Sequence, residues 1–283
     1  MVEHLESYSM RALCQALTVS RSGFYAWRKA QGRGTVLPGL VKSVYEAQKG
    51  RVGAPSVAAE VKAQGHICSV RTVGRIMKRQ GLKARYTRKF RHTTDSRHRH
   101  DVAPNVLDRQ FSVAQPNQVW VGDITYLQTS EGWLYLAVMI DLFSRQVVGW
   151  QMSQRIDKVL VNDALQAALV TRGNPSGVMI HTDRGSQYCA GSFKELIAQH
   201  QLTQSMSRKG NCWDNAVAES FFATLKKQAV YGYKLKTRDQ MRQHVFEYIE
   251  IYYNRVRRHS ANNWVSPVEY ERLYDQNLER VAV

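Results

Sequence analysis

Three acidic side chains, those of Asp123, Asp183 and Glu219, lie where their surroundings could give them a chemical role. Asp123 lies within WVGDITY, a strand-like stretch, although strands disfavour aspartate and burial of a lone charge is costly. Asp183 directly follows the strand-like VMIHT, at the carboxyl end where open α/β sheets place their ligands. Glu219 lies on a helix-like stretch. Three carboxylates that converge would repel one another unless a cation lay between them.

Carboxylates alone, without histidine or cysteine, select Mg²⁺ over zinc, with Mn²⁺ as the alternative. Two such ions, held about 3.5–4 Å apart, serve phosphoryl transfer, in which one activates the attacking oxygen and the other stabilises the leaving oxygen. On this interpretation Asp123 bridges two ions, and Asp183 and Glu219 each hold one of them. Two plainer explanations stay open, because Asp183 alone could be a strand-end turn residue and Glu219 alone an ordinary solvated residue.

The stretch around Glu219, GNCWDNAVAESFFATLKK over 210–227, is typical of a helix that packs on a core. Asp214 is the predicted N-cap, and no helix breaker follows it. Apolar residues recur at helical spacing and predict the buried face: Ala218, Phe221, Phe222 and Leu225. Asn215, Glu219 and Lys226 then share another face, which this helix alone predicts to be solvated.

The 283-residue chain has a net charge of +17, and that charge is unevenly distributed. Residues 1–115 contain 21 Lys and Arg against 7 Asp and Glu, whereas residues 116–283 contain 19 against 16. A basic first part and a near-neutral second part indicate a polyanion-binding arm attached to a different kind of domain. A membrane partner is disfavoured, because no long apolar helix or basic amphipathic anchor is present.

The four cysteines, Cys14, Cys68, Cys189 and Cys212, are scattered and form no C-x-x-C pair. This pattern argues against a zinc site or a disulfide framework and fits a reducing cytoplasm. No apolar run opens the chain as a secretory signal would. We therefore expect a cytoplasmic protein without a membrane partner.

Short capped helices predict a helix-turn-helix-like DNA-binding domain over 35–88. Val57–Ala63, which Gly65 ends, and Val70–Gln80, which Ser69 caps, are joined by a tight turn. The second helix carries four basic residues that could contact DNA: Arg71, Arg75, Lys78 and Arg79. A neutral helical bundle is the alternative. Residues 1–34 are predicted to be a further helical segment with a helix-turn-helix-like shape, and 89–115 a basic linker that can follow a phosphate backbone.

From Gln118 onward the pattern changes to strands. Three strand-like stretches joined by short turns predict an antiparallel meander: Val119–Tyr126, Trp133–Asp141 and Arg145–Met152. Later strands at Val178–Thr182 and Leu202–Ser207 alternate with helices, so the order βββ-α-β-α-β-α predicts a mixed five-stranded sheet with flanking helices. We expect one α/β core domain over 116–235. A C-terminal helical extension over 236–283 begins at a capping box, Thr237 to Gln240.

Long blocks of the chain resemble a known family. WVGDITY, HTDRGSQY and GNCWDNAVAESFFATLK resemble the three catalytic blocks of the DDE transposase and retroviral integrase superfamily, and the 35 residues between Asp183 and Glu219 match its D,D-35-E spacing. Nearly the whole chain is similar to the OrfB catalytic frame of bacterial insertion sequences of the IS-three group. The other similar blocks are LTVSRSGFYAWRK, TTDSRHRHDVAPNVLDRQF, GWLYLAVMIDLFSRQVVGW and YYNRVRRHSANNWVSPVEYE.

The resemblance implies a ribonuclease-H-like core preceded by a small all-α helix-turn-helix region, with Asp123, Asp183 and Glu219 as the catalytic Mg²⁺ ligands. The implied activity is that of a transposase, which cleaves the DNA ends of an insertion sequence and transfers the freed 3′-OH to target DNA. A nuclease limited to hydrolysis and a catalytically silent DNA-binding regulator are the alternatives. Besides the helix-turn-helix residues, DNA contacts are expected at Arg208, Lys209, Asn215, Lys226 and Lys227.

The resemblance also implies partners. Two terminal repeats must be held together and joined to target DNA, so a homodimer or a larger oligomer is expected. Members of the group usually act as a frameshifted fusion with an upstream frame, which is therefore an expected partner, and they act at the bacterial nucleoid. In one departure from the family pattern, Asn262-Asn263-Trp264 replaces a Leu-Gly-Tyr-like triplet, and we expect little effect.

Overall fold

The computed structural model describes residues 9–34, 36–84, 102–208, 212–232 and 234–281. The chain divides into two compact units, Met1–Ala84 and Arg85–Val283, which are described separately. Much of the basic linker predicted over 89–115, through residue 101, lies outside the described residues. Within the described ranges, no helix is long and apolar enough to cross a membrane.

The N-terminal unit is helical. Its helices are α1 (Met10–Ala16), α2 (Arg21–Gly34), α3 (Val36–Ala47), α4 (Ala54–Ala63) and α5 (Val70–Arg79). Ser69 caps α5, because its hydroxyl accepts a hydrogen bond from the Thr72 amide at 3.0 Å. The chain leaves α4 and α5 through Gly65 and Gly81, both at positive φ. Helices α3, α4 and α5 share a valine-rich core, so the helices and caps predicted here are confirmed.

The second unit is built on a five-stranded sheet in the order β3-β2-β1-β4-β5. Its strands are β1 (Val119–Thr129), β2 (Gly132–Asp141), β3 (Val147–Ser153), β4 (Met179–Thr182) and β5 (Thr203–Met206). The first three strands pair antiparallel, whereas β4 pairs parallel with both β1 and β5. The mixed five-stranded sheet predicted from the sequence is confirmed.

Helices cover both faces of this sheet. They are α6 (Lys158–Thr171), α7 (Gly191–Gln199), α8 (Ala216–Leu225) and α9 (Arg238–Phe246). Because side chains alternate along a strand, Leu136 and Val138 of β2 join a core with α8 and α9, whereas Ala137 and Met139 join one with α6 and α7. Each face of the sheet therefore has its own apolar core, as expected for a sheet between two helix layers.

Helix α6 lies directly on β3 at Gly149. A Cβ atom added at Gly149 would lie 2.4 Å from the Ala168 amide nitrogen and 2.5 Å from the Ala164 carbonyl oxygen. These distances leave no room for a side chain, so glycine sets how closely the helix approaches the sheet.

The described residues of the C-terminal extension, 236–281, belong to the same unit as the sheet. Thr237 and Gln240 form the capping box of α9, as predicted, and α9 continues into a π-helix at Glu247–Tyr253 whose tyrosines join the core. The last helix, α10, spans Pro267–Val281. The Asn262 side-chain amide donates to the Ser144 carbonyl, and Asn263 has φ of +52°, a left-handed conformation that asparagine tolerates.

Candidate active site

The site forms where β1 runs past the end of β4. The last parallel pair between these strands is Gly122 with Thr182, whereas the pairing of β1 with β2 continues to Thr129. Asp123 and Asp183 each follow one member of that last pair. Since neighbouring strands lie about 4.8 Å apart, the register alone brings these two aspartates side by side.

Asp123 is a buried carboxylate, 7% exposed. Its Oδ1 accepts a hydrogen bond from the Ile124 amide at 2.8 Å. Burial raises the pKa of Asp123 well above its ordinary value, and the charge of Asp183, then that of Glu219, raises this pKa further. The Ile124 amide and Lys226 act in the opposite direction. Asp123 therefore lies among like charges with little water, which is the electrostatic situation of a cation site.

Asp183 is partly buried and fixed by the turn that follows it. Its Oδ1 accepts a hydrogen bond from the Gly185 amide at 2.9 Å. A Cβ atom at Gly185 would lie 3.0 Å from that same oxygen. Glycine thus leaves space around the carboxylate, because a side chain there would crowd it.

Glu219 reaches the site from the first turn of α8. The predicted buried face of this helix is confirmed by its four apolar residues: Ala218, Phe221, Phe222 and Leu225. Just before the helix, the Asn215 amide contacts the carbonyl of Gly122 at 3.4 Å, one residue before Asp123. The packing of α8 on the sheet therefore brings Glu219 close enough for its charge to act on Asp123.

The prediction that Asp214 caps this helix is wrong. A turn of 3-10 helix, Cys212–Asn215, precedes α8, and the N-cap residue is Asn215. The fully buried Asp214 carboxylate instead accepts hydrogen bonds from Arg109 Nε at 2.8 Å and from Arg208 Nε at 3.0 Å. It also accepts one from the Asn105 side-chain amide at 3.0 Å. Hydrogen bonding from Arg208, above all, holds the pKa of Asp214 well below its usual range.

The prediction of a solvated stripe is also wrong, because both Asn215 and Lys226 are buried. The helix face that carries them lies over the sheet beside Asp123 rather than towards water. Lys226 Nζ lies 4.5 Å from the centroid of the Tyr126 ring. Burial lowers the pKa of Lys226 to about 8, while the charge of Asp123 opposes that change.

Tyr188 is a neighbour of the site whose placement the sequence did not predict. It is 1% exposed, and its ring meets that of Phe193 edge to face, with ring centroids 5.3 Å apart. Burial raises its pKa well above the ordinary value, and Asp123 and Asp183 raise it further. Within the described residues its hydroxyl has no hydrogen-bond partner. Only the fold could reveal this position, since the turn after Asp183 directs the ring inward.

His181 stabilises the strands rather than the carboxylates. Its two ring nitrogens lie 2.9 Å from the hydroxyl of Ser205 and 3.2 Å from that of Ser207. Burial lowers its pKa to about 4. A neutral imidazole therefore joins β4 to the strand beside it.

The predicted DNA-contacting residues have different environments. Those on α5 are all exposed, opposite its buried Val73, Ile76 and Met77: Arg71, Arg75, Lys78 and Arg79. Lys227 is exposed, whereas Arg208 is held by Asp214 and Asp108. Lys209 lies outside the described residues.

A hard divalent cation fits the donor set of this site. The three carboxylates supply only oxygen ligands, and buried Asn215 adds an Oδ1 with no hydrogen-bond partner in the described part of the chain. In those same ranges, no three His, Cys, Asp or Glu side chains are already close enough to hold a metal ion. The ligands are thus of the right type but do not form a closed cage.

Family models match three segments of the chain. Two models, each described as an integrase core domain, match residues 113–212 and 219–274. A third, described as an HTH-like domain, matches residues 37–90.

Two bacterial relatives match almost the whole chain. The transposase InsF for insertion sequence IS3A of Escherichia coli (strain K12) is 44% identical over 276 residues, which cover 95% of this chain and 96% of the relative. An uncharacterized 31 kDa protein of insertion element IS600 from Shigella sonnei is 41% identical over 271 residues, or 93% and 99% of the two chains. A chain in the structure of a simian T-cell lymphotropic virus intasome in complex with PP2A regulatory subunit B56 gamma is similar at 16% identity and a TM-score of 0.48. The match covers 82% of this chain and 74% of that one.

Proposed function

The chain belongs to the IS3-family transposases with an integrase core domain, and on that premise we propose that Asp123, Asp183 and Glu219 are its catalytic carboxylates. As a member of that family it is a DDE-type enzyme of DNA transposition. One observation carries the assignment. Asp123 is buried at the point where β4 ends, and the charges of Asp183 and Glu219 both raise its pKa.

Mg²⁺ is the proposed cofactor, with Mn²⁺ as a substitute, and the three carboxylates would hold two ions. When bound, the metal would supply activation of the attacking oxygen and stabilisation of the leaving oxygen. The two aspartates would be ligands fixed by the sheet, whereas Glu219 would join them from the helix. This division supports a site that closes around its cations, because the repelling carboxylates do not form a finished cage.

The residues around the carboxylates keep them in position. The Asp214 ion pairs hold the turn that leads into α8, and the Gly185 amide orients Asp183. Lys226 lies beside Asp123 and offsets part of the negative charge. These contacts would hold the chain segments that carry the carboxylates in place while the carboxylate side chains close around the cations.

We propose two phosphoryl transfers at this one site. Water first attacks the phosphodiester at the end of the element, so that the P–O bond breaks and a free 3′-OH remains. That hydroxyl then attacks a phosphodiester of the target DNA, forming a new P–O bond as the target 3′-oxygen leaves. No serine or tyrosine nucleophile takes part, since each attacking oxygen comes from water or DNA.

DNA is the proposed partner of both units, as terminal repeats and as target. The exposed basic face of α5 supports DNA contacts at Arg71, Arg75, Lys78 and Arg79. We also propose DNA contacts near the carboxylates at Arg208, Lys209, Asn215, Lys226 and Lys227. Because Asn215 and Lys226 are buried, they would contact only a DNA strand that enters the site. We further propose a homodimer or larger oligomer, an upstream-frame protein or fusion as partner, and action in the cytoplasm at the nucleoid.

The decisive test of this function is an end-cleavage and strand-transfer assay. Labelled DNA carrying the element end, either intact or pre-cut to expose its 3′-OH, is incubated with Mg²⁺ or with EDTA, with and without the fused upstream frame. We expect metal-dependent nicking of intact ends and joining of pre-cut ends to target DNA. Nicking without joining would favour a hydrolytic nuclease, and binding without either product would favour a regulator.

A further inference from the structure

A cavity of about 250 Å³ has in its wall Lys226, the lysine that interacts electrostatically with Asp123. Its walls combine aromatic rings with two lysines: Tyr126, Trp133, Tyr231, Lys226 and Lys234. Leu127, Val230 and Met241 are among the apolar residues that complete the lining. The Tyr126 and Trp133 rings meet edge to face, with centroids 5.1 Å apart, and Trp133 is 47% exposed. The Trp133 ring is therefore accessible to a ligand, although its edge-to-face contact with Tyr126 fixes its position.

The cavity is joined to the reactive end of the sheet through Lys226. Its Nζ lies over the Tyr126 ring in the cavity wall, and its charge acts on Asp123. The wall residues of β1 come after Gly122, the last residue that pairs with β4, so β4 does not pair with that part of the strand. Trp133 pairs with Gln128, five residues or about 17 Å along β1 from Asp123. A DNA strand whose phosphate lies at the carboxylates would therefore have this cavity within reach of a base a few nucleotides away.

The lining suits one chemical class of ligand. Flat aromatic faces bind nucleobases by stacking, and lysine ammonium groups bind the adjoining phosphates. The cavity can take a single base but not a base pair, so a base must leave the duplex before it enters. An apolar peptide would match the apolar residues of the lining but would offer no negative charge to its two lysines.

We propose that this cavity binds one unpaired base of the DNA end during cleavage. The proposal rests on the function proposed above, because it assumes that DNA reaches the carboxylates. Trp133 would stack on the base and Lys234 would contact a phosphate next to it. The cavity would stabilise the frayed end that the site must receive, and it would do so by stacking rather than by reading the base sequence.

The test is a coupling measurement between Trp133 and individual bases. Affinity for a duplex end is measured by fluorescence anisotropy in EDTA, so that no cleavage intervenes, for the wild type and the Trp133→Ala variant. Each of the last few nucleotides is replaced in turn by an abasic site. At the base that enters the cavity, we expect abasic DNA and Trp133→Ala each to weaken binding about 5- to 150-fold, and the two together to weaken it no further.

Two variants keep this test interpretable. Trp133→Phe should restore most of the affinity, because it restores a stacking ring. Phe246→Ala removes another aromatic side chain, 49% exposed and outside the cavity lining, and should leave binding within about twofold of wild type. Strictly additive effects at every nucleotide would overturn the proposal. Since binding is measured in EDTA, that result is distinct from a failure of the wild type to cleave, which would count against the catalytic function instead.

Discussion

Asp214 shows how a residue outside the chemistry can decide the geometry of the site. Its carboxylate is fully buried and accepts hydrogen bonds from the side chains of Arg109, Arg208 and Asn105. Asn105 and Arg109 come from a distant segment of the chain, whereas Arg208 lies six residues before Asp214, and all three meet it immediately before α8, which carries Glu219. A buried acceptor with several charged donors is expensive to alter, because every donor would lose its partner at once.

We expect Asp214→Asn to lower the free energy of unfolding by about 2–4 kcal/mol, because its amide N–H groups would face guanidinium donors. Urea denaturation measures this loss. Asp239→Asn is the matched control, since the Asp239 side chain is 96% exposed, and it should change stability by less than about 1 kcal/mol. Equal stability of the two variants would contradict the role given to Asp214.

The same carboxylate predicts a pH dependence with a definite sign. The pKa of Asp214 is lowered in the folded state, so its contribution is complete above the unfolded pKa of about 3.9. It is lost as the pH falls below that value towards the folded pKa. As the pH falls from 6, the free energy of unfolding should therefore decrease more steeply for the wild type than for Asp214→Asn. Parallel pH dependences of the two proteins would contradict this contribution of Asp214.

At the scale of elements, Gly149 sets the distance between α6 and the sheet. Gly149→Ala would place a methyl group 2.4 Å from a backbone nitrogen of α6, so we expect a loss of about 1–3 kcal/mol or more from overpacking. Gly39→Ala, on α3, meets nothing within 4 Å and should gain up to about 1 kcal/mol from helix propensity. Thermal unfolding of both variants should give opposite shifts, and a neutral Gly149→Ala would show that α6 can move.

Substitution of an exposed basic residue on α5 should change DNA affinity rather than the stability of the fold. Arg75 is exposed on the face opposite the buried Val73, Ile76 and Met77. Arg75→Ala should weaken DNA binding and reduce the slope of log K against log salt by about 0.9 for each phosphate that the variant no longer neutralises. Lys42→Ala, an exposed lysine of α3 paired with Glu46, is the control and should leave the slope unchanged. Identical slopes for both variants would remove α5 from the interface.

Elements with local signals were predictable from the sequence, whereas contacts across the fold were not. The strands, the α9 capping box and the buried face of α8 follow from periodicity and capping chemistry. The start of α8 was predicted wrongly, because Asp214 bonds residues far away in sequence instead of its own helix. The helix taken alone predicts a solvated face at Lys226, but a helical face that looks polar can lie over another polar site.

At the scale of the whole molecule, the net charge of +17 divides at Ala84 into +10 for residues 1–84 and +7 for residues 85–283. A fragment of residues 102–283 keeps both apolar cores of the sheet, so we expect it to unfold cooperatively. It should bind DNA more weakly than the full chain, with a smaller salt slope, because it lacks α5 and the basic stretch. Full affinity and an unchanged slope in the fragment would contradict the proposed DNA-binding role of the first unit.

The placement of Asp123 beside Asp183 was largely predictable from residue types. A mid-strand aspartate and a strand-end aspartate are uncommon enough to single out, and parallel pairing then puts them side by side. The supporting groups could not be foreseen, since Tyr188 and Asp214 acquire their neighbours only when the chain folds.

The most direct test is the rate of Mg²⁺-dependent cleavage of a labelled element end by Asp183→Asn. Loss of a metal ligand should reduce cleavage about 10³-fold or more, while DNA affinity measured without metal stays within about twofold of wild type. Asp239→Asn should cleave at the wild-type rate. If Asp183→Asn still cleaves as the wild type does, the assignment of Asp123, Asp183 and Glu219 as the catalytic site is wrong.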